Sequence, residues 1–274
     1  MAAVLSYQAN DSDGTTISAG SSYTFPLTVA SASGQRRAVM LASVAELGIT
    51  GFSAVTIDGQ SAALRGSVDG GDDSNGAQAF VRCYVADGTS GTSINVVATI
   101  TGSGQAFAGY CALWTLSDSD GAAFDTATGA SITPTLDLDT QADSAVLAAF
   151  YGYDGTSASV GSLAWTGVTE RFDGVTVFGD EVFSGADESS VAAATPRAVS
   201  ATASNLIDNR PNPGFSVCAL AVSFSPTAAG GARVVGTGLT ESRQLQRTRL
   251  VRASRHMDGW MARGRLIVPR GLAA

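Results

Sequence analysis

The chain has 274 residues and a mass of 27.6 kDa, enough to bury one sizeable core and leave a small appendage. Hydrophobic residues make up 45% and mean hydropathy is +0.17, which excludes a disordered chain, and no apolar run reaches the ~18 residues of a transmembrane helix. The net charge of −8 hides a division. Residues 226–274 carry nine Arg against Glu241 and Asp258, while residues 1–225 carry 7 Arg against 22 acids.

Val4–Gln8 reads as a short strand, followed by a turn at Asn10–Gly14. Ser22–Val29 alternates through Tyr23, Phe25, Leu27 and Val29, and Pro26 marks an edge strand because proline cannot donate to a ladder. Arg37–Val44, RAVMLASV, is mostly apolar and central. Val55–Leu64 holds Asp58-Gly59 between two short alternating runs, a hairpin signal. Asp69–Gly76 reads as an acidic surface loop, and Ala79–Val85 as a strand ended by Asp87-Gly88. Ile94–Leu116 follows as a central hairpin: an alternating strand, a turn at Thr101–Gly104, then a strand apolar on both parities through Tyr110, Cys111, Leu113 and Trp114.

A second run of similar grammar begins with Thr135–Leu138 and the long buried strand Ser144–Tyr153. Leu163–Thr169, Val175–Phe183, Arg197–Ala203 and Gly214–Phe224 complete about a dozen strands, with no convincing amphipathic helix before residue 225. This predicts an all-β fold, an antiparallel jelly-roll-like β-sandwich over 1–225. Residues 226–232 read as a Gly/Ala linker and 233–274 as a basic C-terminal arm too small for a core of its own.

Catalytic chemistry is thinly represented. His256, the single histidine, lies in the arm, which leaves the body without a histidine base. Glu170, Asp173, Asp180, Glu181 and Glu188 offer carboxylates between late strands, but nothing in their spacing sets a working pair, and no enzyme activity is expected. The two DSDG copies, Asp11–Gly14 and Asp118–Gly121, and the Asp69–Asp73 loop lack the further ligands of an EF-hand and read as turns. Cys83, Cys111 and Cys218 are far apart within apolar patterns and read as buried free thiols. No metal or other cofactor is expected.

Two groups of residues stand out as binding candidates. Tyr151, Tyr153 and Trp165 near Asp154 could form a sugar-stacking platform, or simply belong to the core. In the arm, Arg243, Arg247, Arg249, Arg252, Arg255, Arg263 and Arg265 are interleaved with Leu, Val, Met and Trp260, a composition suited to docking on an acidic protein surface. A nucleic-acid arm and a solvated tail are the other readings, and the acidic body opposes the first. The N-terminus, MAAVLSYQANDSDG, has neither a basic region nor a long apolar run, so no secretory signal is expected and folding in a cytoplasm is.

The succession YTFPLTV, RAVML, VTIDGQSAAL, FVRCYVADGTSGTSINVVATITG, FAGYCALWTLSDSDGAAFDT, WTGVTERFD and FSVCALAVSF resembles jelly-roll proteins of tailed phages and prophages. Members of that group are head decorations, head fibres or spikes, and tail-associated adhesins. The resemblance spans residues 4–225 and implies a virion protein in many copies, assembled in the host cytoplasm. Its implied partners are capsid or tail subunits, with a host-surface glycan as the alternative ligand. It implies no cofactor and no catalytic residue, and the arm lies outside it.

Overall fold

The computed structural model describes residues 1–30, 35–72, 76–154, 162–175, 181–203 and 215–227. Among them every regular element is a strand. The first ten are β1 (Val4–Asp13), β2 (Ile17–Ser18), β3 (Ser22–Thr28), β4 (Gln35–Glu46), β5 (Ile49–Ile57), β6 (Gln60–Ser61), β7 (Ala63–Asp72), β8 (Ala77–Thr89), β9 (Ser93–Gly102) and β10 (Gln105–Ser117). The remaining eight are β11 (Ser119–Gly129), β12 (Thr135–Thr140), β13 (Ser144–Asp154), β14 (Leu163–Thr166), β15 (Thr169–Val175), β16 (Glu181–Val191), β17 (Ala194–Ala203) and β18 (Phe215–Pro226). No helix among the described residues is long and apolar enough to cross a membrane.

The strands form four antiparallel sheets. One has the order β1-β10-β4-β8-β7, with β2 also on β10, and a second has β3-β9-β5-β6. The later strands repeat both: β11-β18-β13-β16-β15 and β12-β17-β14. Replacing β1, β10, β4, β8 and β7 by β11, β18, β13, β16 and β15 converts the first sheet into its counterpart. The same exchange turns β3-β9-β5 into β12-β17-β14. Residues 4–117 and 119–226 are therefore two sandwiches with one strand order.

Side-chain alternation shows how the sheets stack, because successive residues of a strand point to opposite faces. Along β4, Ala38, Met40, Ala42 and Val44 join a core shared with Leu147, Tyr151, Leu220 and Val222 of the second sandwich. Val39, Leu41 and Ala45 instead meet Phe25, Ile57, Val96 and Ile100 of the first outer sheet. On β13, Ala145, Leu147 and Ala149 face the shared core, and Val146, Ala148 and Phe150 face the second outer sheet. The layers thus run outer, inner, inner, outer. Strands β4, β10, β13 and β18 are apolar on both parities because a sheet covers each of their faces. One continuous core joins the sandwiches, so the single two-layer sandwich expected over 1–225 is replaced by four layers over Met1–Thr227, one compact unit.

Local signals fare unevenly. Asp58 (φ 52°) and Gly59 (φ 74°) form the tight turn between β5 and β6, the left-handed pair that a two-residue hairpin requires. Pro26 lies on β3, at the edge of its sheet. The central hairpin does not exist: β9 pairs with β3 and β5, while β10 pairs with β1, β2 and β4. Ser103 and Gly104 make a corner between sheets, where the Ser103 N–H donates to the Gly48 carbonyl at 2.7 Å. That carbonyl belongs to the neighbouring β4–β5 corner. The acidic loop is also corrected, since Asp69–Asp72 continues β7.

Candidate functional site

The proposed sugar platform is dispersed. Tyr151 is fully buried in the shared core, its ring centroid 5.1 Å from that of Tyr110. Trp165 lies on the far side of the same inner sheet, against the outer core of the second sandwich, and its indole N–H donates to Ser184 Oγ at 2.8 Å. Tyr153 is half-buried on the shared core, and of Asp154 only the backbone is among the described residues. No single face presents these side chains to a ring. Arg243, Arg247, Arg249, Arg252, Arg255, Trp260, Arg263 and Arg265 lie outside the described residues.

The late acids divide into sealed and surface groups. Glu181 and Asp187 stand on β16 and are buried between the inner sheets. Tyr110 donates its hydroxyl to Glu181 Oε2, and Tyr151 donates to Oε1 at 3.1 Å. Asp187 accepts the Trp114 indole N–H at 2.7 Å and holds Arg171 through both oxygens, at 2.8 and 2.7 Å. Burial and the neighbouring Glu181 charge together push the Tyr151 phenol well above its ordinary range, since a phenolate would be desolvated beside a carboxylate. Buried between the sheets, Glu181 and Asp187 tie the two sandwiches together.

Outside the core, Glu188 accepts the Thr169 hydroxyl at 2.8 Å, and Asp173 accepts the Leu163 N–H at 2.8 Å. Burial raises the carboxyls of both Glu170 and Asp173, and the charge of Asp173 adds to the rise at Glu170. Asp180 lies outside the described residues. The DSDG copies, expected as turns, fall mostly within strands, residues 11–13 at the end of β1 and residues 119–121 at the start of β11; Asp13 accepts the Thr15 N–H, and Asp120 accepts that of Ala122. Asp69 pairs with Arg82 at 2.6 Å. Among the described residues no group of three or more His, Cys, Asp or Glu side chains is placed to hold a metal ion.

Among the described residues one cleft, of about 390 Å³, is lined by Gln35, Arg36, Asp87, Gly88, Leu116 and Ser117. It forms where β4 begins and β8 and β10 end, beside the crossing from the first sandwich to the second. The ladder between β4 and β8 slips between Gln35 and Arg37, and Gly88 at φ 75° lies in this irregular stretch. Bulges of this kind re-aim side chains. Here Asp87 turns outward, 72% exposed, and accepts the Arg36 Nε–H at 2.5 Å. Gly121, at φ 73°, lies directly against the arginine: a Cβ there would sit 2.6 Å from Arg36 Cδ. The absence of a side chain at Gly121 leaves room for the Arg36 stem. The sequence marks Asp87-Gly88 only as a strand end, and nothing in it pairs Asp87 with Arg36, 51 residues away.

No protein-family model matches the chain, and neither do any curated protein or any solved structure.

Proposed function

We propose that the protein is a structural component of a tailed phage or phage-like particle, an outward-facing body docked through its Arg-rich C-terminal arm. The strand order carries the reading. Counting β6 and β7 as one strand, the first sandwich has eight strands, β1, β3, β4, β5, β6–β7, β8, β9 and β10. Its inner sheet then runs 1-8-3-6 and its outer sheet 2-7-4-5. We read this as jelly-roll order, with the fifth strand beginning on β5 and finishing on β8. The second sandwich repeats it, except that its fifth strand lies wholly in the inner sheet. A tandem jelly roll fits the phage structural proteins that the sequence resembles.

The charge division supplies the attachment. An arm of net +7 on a body of net −15 is suited to acidic surfaces of neighbouring subunits, and multiple copies on a particle multiply a weak contact. Limited trypsin digestion with mass readout, on isolated protein and on purified particles, tests this. The expected outcome is release of peptides after residue 226 from isolated protein and their protection on particles. Absence of the protein from particles, or equal release in both samples, overturns the reading.

A further inference from the structure

We propose that the Arg36–Asp87 cleft binds a neutral polyhydroxylated ring, one monosaccharide unit of a glycan. Its chemistry selects the ligand class. Arg36 has spent its Nε–H on Asp87, and among the described residues its two terminal nitrogens have no partner. They remain as donors in a fixed fork. Asp87 uses Oδ1 for that bond and keeps Oδ2 as an acceptor. The cleft therefore offers strong donors and a strong acceptor side by side, and Gln35 and Ser117 also line it.

Vicinal hydroxyls match that arrangement, because each is both donor and acceptor and neighbouring hydroxyls lie one carbon apart. One can donate to the carboxylate while the next accepts from the guanidinium, both as charge-assisted bonds. A simple anion fits worse, since the Asp87 carboxylate repels it. A simple cation meets the same objection from Arg36. The cleft volume falls near the lower end of small-molecule sites. The Arg36–Asp87 ion pair already orients both side chains, so less rotamer freedom is lost on binding.

This assignment is independent of the particle reading, and isolated full-length protein tests it. A glycan array would be followed by titration with free hexoses, deoxyhexoses and hexosamines, observed by ligand NMR. At least one sugar is expected to bind in the millimolar range or tighter. Asp87→Ala and Arg36→Met are each expected to weaken it by about tenfold or more, the scale of one lost hydrogen bond to a charged group. Asp87 is exposed, so its variant is expected to keep the wild-type melting temperature. Absence of binding to every sugar tested overturns the proposal, as does binding that survives both substitutions. Displacement of the sugar by inorganic phosphate at equal concentration also overturns it and makes the cleft an anion site.

Discussion

The two halves of the interface between the sandwiches occupy matching positions and use different chemistry. Strand β10 meets β16 in one half, and their counterparts β18 and β8 meet in the other. The first half sets Tyr110 and Trp114 against Glu181, Phe183 and Asp187. The second sets Cys218, Leu220 and Val222 among Ala79, Val81, Cys83 and Val85. Aromatic packing continues outward from the polar half, where Tyr7 stacks on Phe172 with centroids 5.6 Å apart and meets Trp114 edge-on at 5.5 Å. Apolar contact has no direction, so two aliphatic faces bind across many registers. A buried carboxylate aimed at one indole N–H accepts a single register, because any slip leaves it unpaired. The aliphatic half contributes mostly area, with Ser216 Oγ at its end accepting the Ala79 N–H and donating to the Gly71 carbonyl, and the polar half adds the charged groups that restrict the alignment further.

The sharpest way to break this division is Asp187→Ala. It strands the Trp114 N–H and leaves the Arg171 guanidinium without its carboxylate, a loss of about 3–5 kcal/mol for a buried pair broken on one side. Arg171 is 38% exposed and recovers water, which places the effect near the lower end. Urea unfolding measures it. The triple change Asp187→Leu, Arg171→Met and Trp114→Phe removes all three partners together and is expected to recover most of that stability. If the triple variant is as unstable as Asp187→Ala, the polar half contributes strength as well as alignment.

In the aliphatic half the matching test is Leu220→Ala. Leu220 is fully buried and packs close against β7, its Cδ1 3.1 Å from a Cβ built on Gly66. Loss of its methyls there costs about 3 kcal/mol through transfer and cavity together. The two halves should differ in how the damage appears. Hydrogen exchange should rise around β8 and β18 in Leu220→Ala, and around β10 and β16 in Asp187→Ala. Tyr151→Phe is milder, about 1 kcal/mol, because it removes one of two tyrosine donors to Glu181 and leaves Tyr110 in place. An effect as large as that of Asp187→Ala would mean that Glu181 depends on both donors.

The layered β architecture could be read from the chain because burial on two faces leaves a mark. RAVMLASV and SAVLAAFYGY are apolar on both parities, and both lie between two sheets. Asp58-Gly59 and Pro26 were equally legible, since their consequences are local. The β9–β10 corner was not. A turn between two strands reads the same whether they pair or part into different sheets, and the partner strands that decide it are distant in sequence. Glu181 read as one of several carboxylates between late strands, and Asp187 drew no notice, for a related reason: their partners, Tyr110, Trp114 and Tyr151, come from other strands. The repeat showed as similar grammar, and only strand order reveals it as two sandwiches. Within the candidate cleft, Asp87-Gly88 was visible as a strand end, but the packing of Gly121 on Arg36 crosses from one sandwich to the other and leaves no pattern in either.

The smallest expected effect separates the halves by pH. Burial pushes the Cys83 thiol up to about 12 and raises Cys218 and Cys111 in the same direction. Cys83 and Cys218 lie in the aliphatic half, whereas Cys111 faces the first outer sheet. The unfolded chain ionises these thiols near pH 9, while the folded chain keeps their protons. The unfolded state therefore binds fewer protons above that point, and stability present below about pH 9 falls as pH rises toward 12. Three such thiols remove about 1 kcal/mol between pH 7 and 9. Cys83→Ala with Cys218→Ala is expected to lower stability at neutral pH by loss of packing, yet to flatten this slope by about two thirds, since only Cys111 still titrates. Urea midpoints at pH 7, 8 and 9 compare the two proteins. An unchanged slope in the double variant would place the alkaline sensitivity outside the aliphatic half, in the tyrosines around Glu181, where burial also raises Tyr151.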